Sequence, residues 1–136
     1  MDVKVYQIYY KKEQLPYLDK DFIGYDNIKN ENPEFAEYWV FAENYQKGKH
    51  KEAEHTGFVS WKFCEKTRIS GKSFLDFIRK NPGYDVYFIN PSPDNVELFH
   101  NVWEHGEKYH PGILDFTQKI IDNLNYKINL KEFRNV

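Results

Sequence analysis

A chain of 136 residues with net charge −2 is long enough to bury one real core. Its interspersed charges exclude a nucleic-acid protein that relies on a basic surface. The single cysteine, Cys64, excludes an internal disulfide and fits a reducing compartment. The 11 Tyr, 11 Phe and 3 Trp supply large buried areas, and Tyr and Trp add a polar tip suited to clefts that bind rings or sugars. Met1-Asp2-Val3-Lys4 has no signal-peptide pattern, and no apolar run approaches the roughly 20 residues of a membrane span. A soluble, cytoplasmic protein is expected.

Val3-Lys4-Val5-Tyr6-Gln7-Ile8-Tyr9-Tyr10 alternates and then runs continuously in β-formers, so it is the first predicted strand. Lys11 to Asn32, with Pro16, Gly24 and many Asp and Asn, reads as a long loop with a short extended piece at Phe22-Ile23. Asn32-Pro33-Glu34 then opens a helix: Asn32 suits the N-cap, Pro33 the first turn, and Glu34 and Glu37 the positive helix start. Phe35, Tyr38, Trp39, Ala42 and Tyr45 recur at three- and four-residue steps and predict its apolar face; Gly48 ends it. The basic run Lys47-Gly48-Lys49-His50-Lys51 is followed at once by Glu52 and Glu54 and reads as a solvated loop.

Thr56 to Phe63 is the second predicted strand, with Cys64 in the same aromatic run. Ser70 or Ser73 caps a short helix with Phe74, Phe77 and Ile78 inward, and Asn81-Pro82-Gly83 stops it. Tyr84 to Asn90 is the third predicted strand, apolar on both faces as for a strand covered from both sides. A short helix covers Val96 to His105. A last helix after Pro111 sets Ile113, Phe116, Ile120 and Leu124 on one face, with Leu114 and Ile121 widening it, and the final dozen residues are polar.

Strands alternating with helices predict an α/β fold: a single three-layer, Rossmann-like domain over residues 1–136 with a mainly parallel sheet. Ligands of such sheets bind beyond the carboxyl ends of the strands. No G-x-G-x-x-G, Walker or G-x-S-x-G motif is present. His100, His105 and His110 recur every five residues, about 140° apart around a helix, a poor spacing for one metal ion. Asn90, Ser92 and Asp94 make either an Asx-Pro turn or a meagre Mg²⁺ or Mn²⁺ site with one carboxylate. Asp26-Asn27 and Asn30-Glu31-Asn32 cluster polar groups at a helix start, as simple caps or as hydroxyl or anion contacts.

Four stretches carry a resemblance: Val5-Tyr6-Gln7-Ile8-Tyr9-Tyr10, Phe22-Ile23-Gly24-Tyr25-Asp26-Asn27, Asn30 to Tyr38, and Thr56 to Phe63. Their succession resembles the N-terminal, donor-binding part of bacterial capsule and O-antigen glycosyltransferase-like proteins with a GT-A-type fold. It implies a truncated GT-A-like domain that moves a sugar from a nucleotide-diphospho-sugar to a glycan acceptor, with a further domain or a homo-oligomer completing the site. It implies that Tyr9, Tyr10, Asp26 and Asn27 lie near the nucleotide, Lys62 contacts the diphosphate, and Asn90 borders the cleft. Glu37 and Asp94 are the implied catalytic carboxylates, with Asp94 the implied ligand of Mn²⁺ or Mg²⁺. Two departures stand out. Ser60-Trp61-Lys62 replaces the family's His-Tyr-Arg, and Asn90-Pro91-Ser92-Pro93-Asp94 replaces a D-x-D. The other readings are a non-catalytic α/β module that binds a nucleotide, a glycan or a partner protein, and a small metal-assisted hydrolase built on the His-rich segment.

Overall fold

The computed structural model describes every residue except Pro91, Pro93, Asp94 and Val136, and the backbone alone for 95, 96 and 133–135. Two compact units make up the chain, Met1–Ile89 and Asn90–Val136.

The first unit is mixed α/β around a small, open, parallel sheet of three strands in the order β2-β1-β3. Strand β1 is Val3–Tyr9, β2 is Ile23–Asp26 and β3 is His55–Ser60. Ladder partners side by side point the same way, so the register separates two faces. Tyr6, Ile8, Tyr25 and Phe58 share one face; Val5, Gln7, Gly24 and Val59 share the other.

Helix α1 (Ala36–Gln46) covers the aromatic face. Tyr6 stacks on Phe58 at 5.3 Å, and Tyr25 meets both rings edge-on. Asn44, buried, donates to the Tyr25 hydroxyl at 2.8 Å and to the Val40 carbonyl at 2.7 Å. The second face packs against α2 (Phe63–Thr67) and α3 (Gly71–Lys80), where Val5, Phe22, Phe63, Phe74, Leu75 and Ile78 form the core.

The elements differ from the sequence expectation in instructive ways. The remaining strand, β2, lies in the stretch that the sequence predicts as a long loop with a short extended piece at Phe22-Ile23, whereas Tyr84 to Asn90 joins no ladder among the described residues. That segment is anchored through side chains: the His55 Nε2–H donates to the Tyr84 carbonyl at 3.0 Å, and the Tyr87 hydroxyl to the Asn81 carbonyl at 2.6 Å. Only Tyr87 and Ile89 lean on the core, while Val86 and Phe88 are 72% and 77% exposed. It is covered on one face, not two. The second strand stops at Ser60, and Phe63 and Cys64 begin a helix.

Helix α1 turns Val40 and Asn44 inward and leaves Phe35, Tyr38 and Tyr45 exposed, the reverse of the predicted face. The reason is chemical: the inner layer carries the Tyr25 hydroxyl, which the Asn44 amide can serve and an aromatic ring cannot. In α3, Ser70 is the cap, accepting from the Ser73 N–H at 3.1 Å, and Phe74, Leu75 and Ile78 are buried, but Phe77 points outward.

In the second unit, α4 (Asn95–Leu98) precedes α5 (Val102–Tyr109) and α6 (Ile113–Asn123). Asn101 caps α5 by accepting from the Trp103 and Glu104 N–H groups at 3.0 and 2.9 Å. Glu107 caps α6, accepting from Gly112 and Leu114 at 2.8 and 3.0 Å. The buried residue of α6 is Leu114, at the edge of the predicted face; Ile113 and Ile121 are half-buried, while Phe116, Ile120 and Leu124 are exposed. Among the described residues no helix is long and apolar enough to cross a membrane.

Asp19, in the β1–β2 connection, ties the first unit's helices to its sheet. Its carboxylate accepts from the Gly71 N–H at 2.8 Å, the Asp21 N–H at 2.9 Å and the Cys64 thiol at 3.4 Å. Burial pushes its pKa up, but the hydrogen bonds from Asp21, Gly71 and Cys64 outweigh that and hold it below the usual carboxylate value. A side chain on Gly71 would put Cβ 2.7 Å from Asp19 Oδ1, so glycine admits the carboxylate. Gly71→Ala is therefore expected to cost about 1–3 kcal/mol, and Asp19→Ala about 1–2 kcal/mol as a lost cap. In the Asp19→Ala background, Gly71→Ala becomes neutral or stabilising, because alanine is the better helix residue. Urea unfolding of the four proteins measures this coupling; additive costs would contradict the contact. Because the Asp19 pKa is lowered by folding, its stabilisation is present above the unfolded value near pH ~4 and is lost as pH falls further.

Candidate functional site

The strand order reverses between β1 and β3, the place where open parallel sheets usually hold a ligand. Here that crevice is filled by the protein itself. Gln7, 0% exposed, points into it. Its Oε1 accepts from the Asp19 N–H at 2.7 Å, and its Nε2 donates to the Trp61 carbonyl at 3.0 Å. Beyond it, Tyr17 packs edge-on against Trp61 at 5.8 Å, joining the chain that leaves β1 to the chain that leaves β3. Gln14, also buried, folds back so that Oε1 accepts from the Tyr10 and Lys11 N–H groups at 2.8 and 3.2 Å. Gln14 thus takes the first two backbone donors of the turn for the protein itself.

The open space lies on the other side of β1. A cleft of about 620 Å³ runs from the carboxyl ends of β1 and β2 to the start of α1. Tyr10, Asn27 and Ile28 form one wall as the strands end. Asn30 and Pro33 form the floor that leads into the helix. Ala36, Glu37, Tyr38 and Phe41 present the first turns of α1. The floor is built locally. Asn30 Oδ1 accepts from the Asn32 N–H at 2.9 Å, and its Nδ2 donates to the Ala36 carbonyl at 3.2 Å, so its amide is spent on the backbone. Asp26 Oδ1 accepts from the Ile28 N–H at 2.9 Å and turns the chain out of β2.

The other polar groups of the cleft are unspent. The Glu37 carboxylate, the Asn27 side-chain amide and the Tyr10 and Tyr38 hydroxyls have no hydrogen-bond or ion-pair partner among the described residues. Lys11 and Lys29 neighbour the cleft in sequence, yet no lysine or arginine lines it. Chemically it offers one carboxylate, a carboxamide and two phenols on an apolar, partly aromatic wall. That set can accept hydrogen bonds from hydroxyls, and Glu37 can take a proton as a general base.

Of the sequence candidates, Tyr10, Asn27 and Glu37 meet in this cleft. Tyr9 and Asp26 are turned to each other. Partial burial and then the adjacent Asp26 carboxylate, which accepts its hydrogen bond, raise the Tyr9 phenol above its ordinary value. Lys62 lies with Nζ 5.0 Å from the Trp61 ring centre and 3.9 Å from Glu65 Oε1, outside the lining. Asn90 accepts from the Ser92 N–H at 2.9 Å, the geometry of an Asx turn. Asp94, expected to be catalytic and a metal ligand, lies outside the described residues. Among the described residues no three His, Cys, Asp or Glu side chains are grouped to hold a metal ion. His105 packs between Phe99 at 4.8 Å and Tyr109 at 5.2 Å.

Sequence reasoning missed Tyr38 and Phe41, because three- and four-residue periodicity does not say which face is inner. It also missed Ala36, whose φ of +47° lies where an L side chain is strained. Set against protein-family models, curated proteins and solved structures, the chain has no match in any of the three comparisons.

Strain at Ala36, in the lining of the cleft, has a direct test. Ala36→Gly relieves a conformation that costs of order 1–3 kcal/mol and gives back ~0.5–1 kcal/mol in chain entropy. The variant is expected to be about 1 kcal/mol more stable by urea unfolding, and a loss of stability would contradict the strain.

Proposed function

We propose that the first unit is the donor-binding portion of a GT-A-like glycosyltransferase, which transfers a sugar from a nucleotide-diphospho-sugar to a glycan acceptor. The observation that carries this reading is the cleft itself. An apolar, partly aromatic cavity with a few convergent polar groups, open beyond the carboxyl ends of parallel strands, has the form of a small-molecule site. Tyr10, Asn27 and Glu37, each implied by the resemblance to lie at a donor site, all line it. In this reading the aromatic rings stack on the donor, and Glu37 accepts from its hydroxyls or acts as general base. A full GT-A domain has more strands than the three present, and the acceptor is met by a further domain or a second copy. Mn²⁺ or Mg²⁺, with Asp94 as its carboxylate, belongs to the same reading.

One observation favours a second reading, a non-catalytic module that binds the same ligand. Glu37 is the single carboxylate in the cleft lining, so an acid and a base are not paired there.

Thermal unfolding with UDP-, GDP- and CMP-sugars, with and without Mn²⁺, tests both readings. A cognate donor at a hundred times its Kd adds about 2.7 kcal/mol and is expected to raise Tm by several degrees. No shift with any donor contradicts the proposal. A shift without sugar transfer to any glycan acceptor selects the non-catalytic module.

A further inference from the structure

Within the proposed donor-binding reading, on which this step rests, the charge of the cleft narrows what can sit in it. We infer that the cleft receives an uncharged, hydroxyl-rich sugar ring, and that Glu37 excludes acidic sugars and the diphosphate.

The argument starts from the inventory of free groups. Glu37 is the single ionisable acid lining the cleft, it has no partner among the described residues, and no cation lines the same space. An ionised carboxylate only accepts hydrogen bonds, so its occupant must bring donors. Sugar hydroxyls do this, and a pair of neighbouring hydroxyls matches the two carboxylate oxygens. A phosphate or a uronate carboxylate brings further acceptors and negative charge, with nothing in the lining to pair it. The start of α1 would otherwise favour an anion, but Glu37, in its first turn, already occupies that potential. In the turn after β1, Gln14 takes the Tyr10 and Lys11 N–H groups, so these two donors are not offered to an anion.

The remaining contacts fit the same occupant. Tyr38, Phe41 and Tyr10 offer ring faces and edges for the apolar side of a sugar. The Asn27 amide both donates and accepts, as a hydroxyl requires. Asn30 is spent on the backbone and contributes shape alone. Selection therefore concentrates on Glu37 and Asn27.

The experiment is calorimetric titration of the full chain with UDP-glucose, UDP-galactose, GDP-mannose, UDP-glucuronate, CMP-N-acetylneuraminate, and UDP, GDP and CMP alone. A neutral donor is expected to bind about tenfold or more tightly than its own nucleotide, and an acidic donor no better than its nucleotide. Glu37→Gln is expected to lower the neutral sugar's advantage about tenfold, to leave nucleotide affinity unchanged, and to narrow the gap between glucose and glucuronate donors. Asn27→Ala provides a second variant with the same loss for the neutral sugar and no gain for the acidic one. Because Glu37 has no hydrogen-bond or ion-pair partner among the described residues, Glu37→Gln should stay folded and melt within a few degrees of the parent chain, losing only its favourable charge at the helix start. An acidic donor that binds as well as a neutral one, or a neutral donor no better than its nucleotide, overturns this inference and leaves nucleotide binding standing. Failure of every nucleotide and donor overturns the donor-binding reading and this inference with it.

Discussion

The carboxamide of Gln7 holds the first unit together at the point where its chain paths diverge. It is fully buried in the central strand, and it joins the β1–β2 connection at Asp19 to the exit of β3 at Trp61. Asp19 extends the link to the first turn of α3 through Gly71 and to α2 through Cys64. Sheet, loop and two helices thus share one polar network inside an otherwise apolar core. Each bond adds only about 0.5–1.5 kcal/mol net, but a buried partner left unsatisfied costs about 1–3 kcal/mol. The network therefore does more to fix one arrangement than to deepen it.

That clamp decides where a ligand can go. Parallel sheets of this order normally leave a crevice between β1 and β3, and Gln7 with the Tyr17–Trp61 pair fills it. The opening shifts to the far side of β1, where the chain leaves β2 through an Asx turn and enters α1 through Pro33. The aromatic layer of Tyr6, Tyr25 and Phe58 sets the height of α1 over the sheet, and Asn44 fixes its rotation. With Val40 and Asn44 inward, Glu37 is carried to the cleft and Tyr38 to its rim.

Much of this was legible in the residues, and the failures have common causes. The first strand, the Asn32-Pro33 helix start, the Ser70 cap and the parallel α/β class follow from alternation and capping chemistry. Ile23–Asp26 was seen only as a short extended piece at Phe22-Ile23, because four residues with a glycine carry little strand signal on their own; pairing to β1 supplies the rest. Tyr84 to Asn90 has strand composition but spends its anchoring contacts on side chains, so composition overstated it. The face of α1 was misplaced, and that of α6 was found only at its edge, at Leu114, because apolar residues surround both helices and the inner face is chosen by what it meets. At the site, Tyr10, Asn27 and Glu37 were found through position at strand ends and a helix start. The filled crevice was not, because nothing in the sequence links Gln7 to residues 19 and 61.

The central claim is that Gln7 closes the usual ligand crevice and leaves the cleft beside α1 as the place of binding. Backbone amide NMR of the full chain, titrated with the nucleotide-sugar that gives the largest thermal shift, tests it most directly. The account predicts that the largest chemical-shift changes fall on Tyr10, Asn27, Ile28, Glu37 and Tyr38, with Gln7, Asp19 and Trp61 nearly still. Changes centred on Gln7, Tyr17, Trp61 and Lys62 would contradict it, because they would mean that the ligand opens the crevice the clamp is held to close.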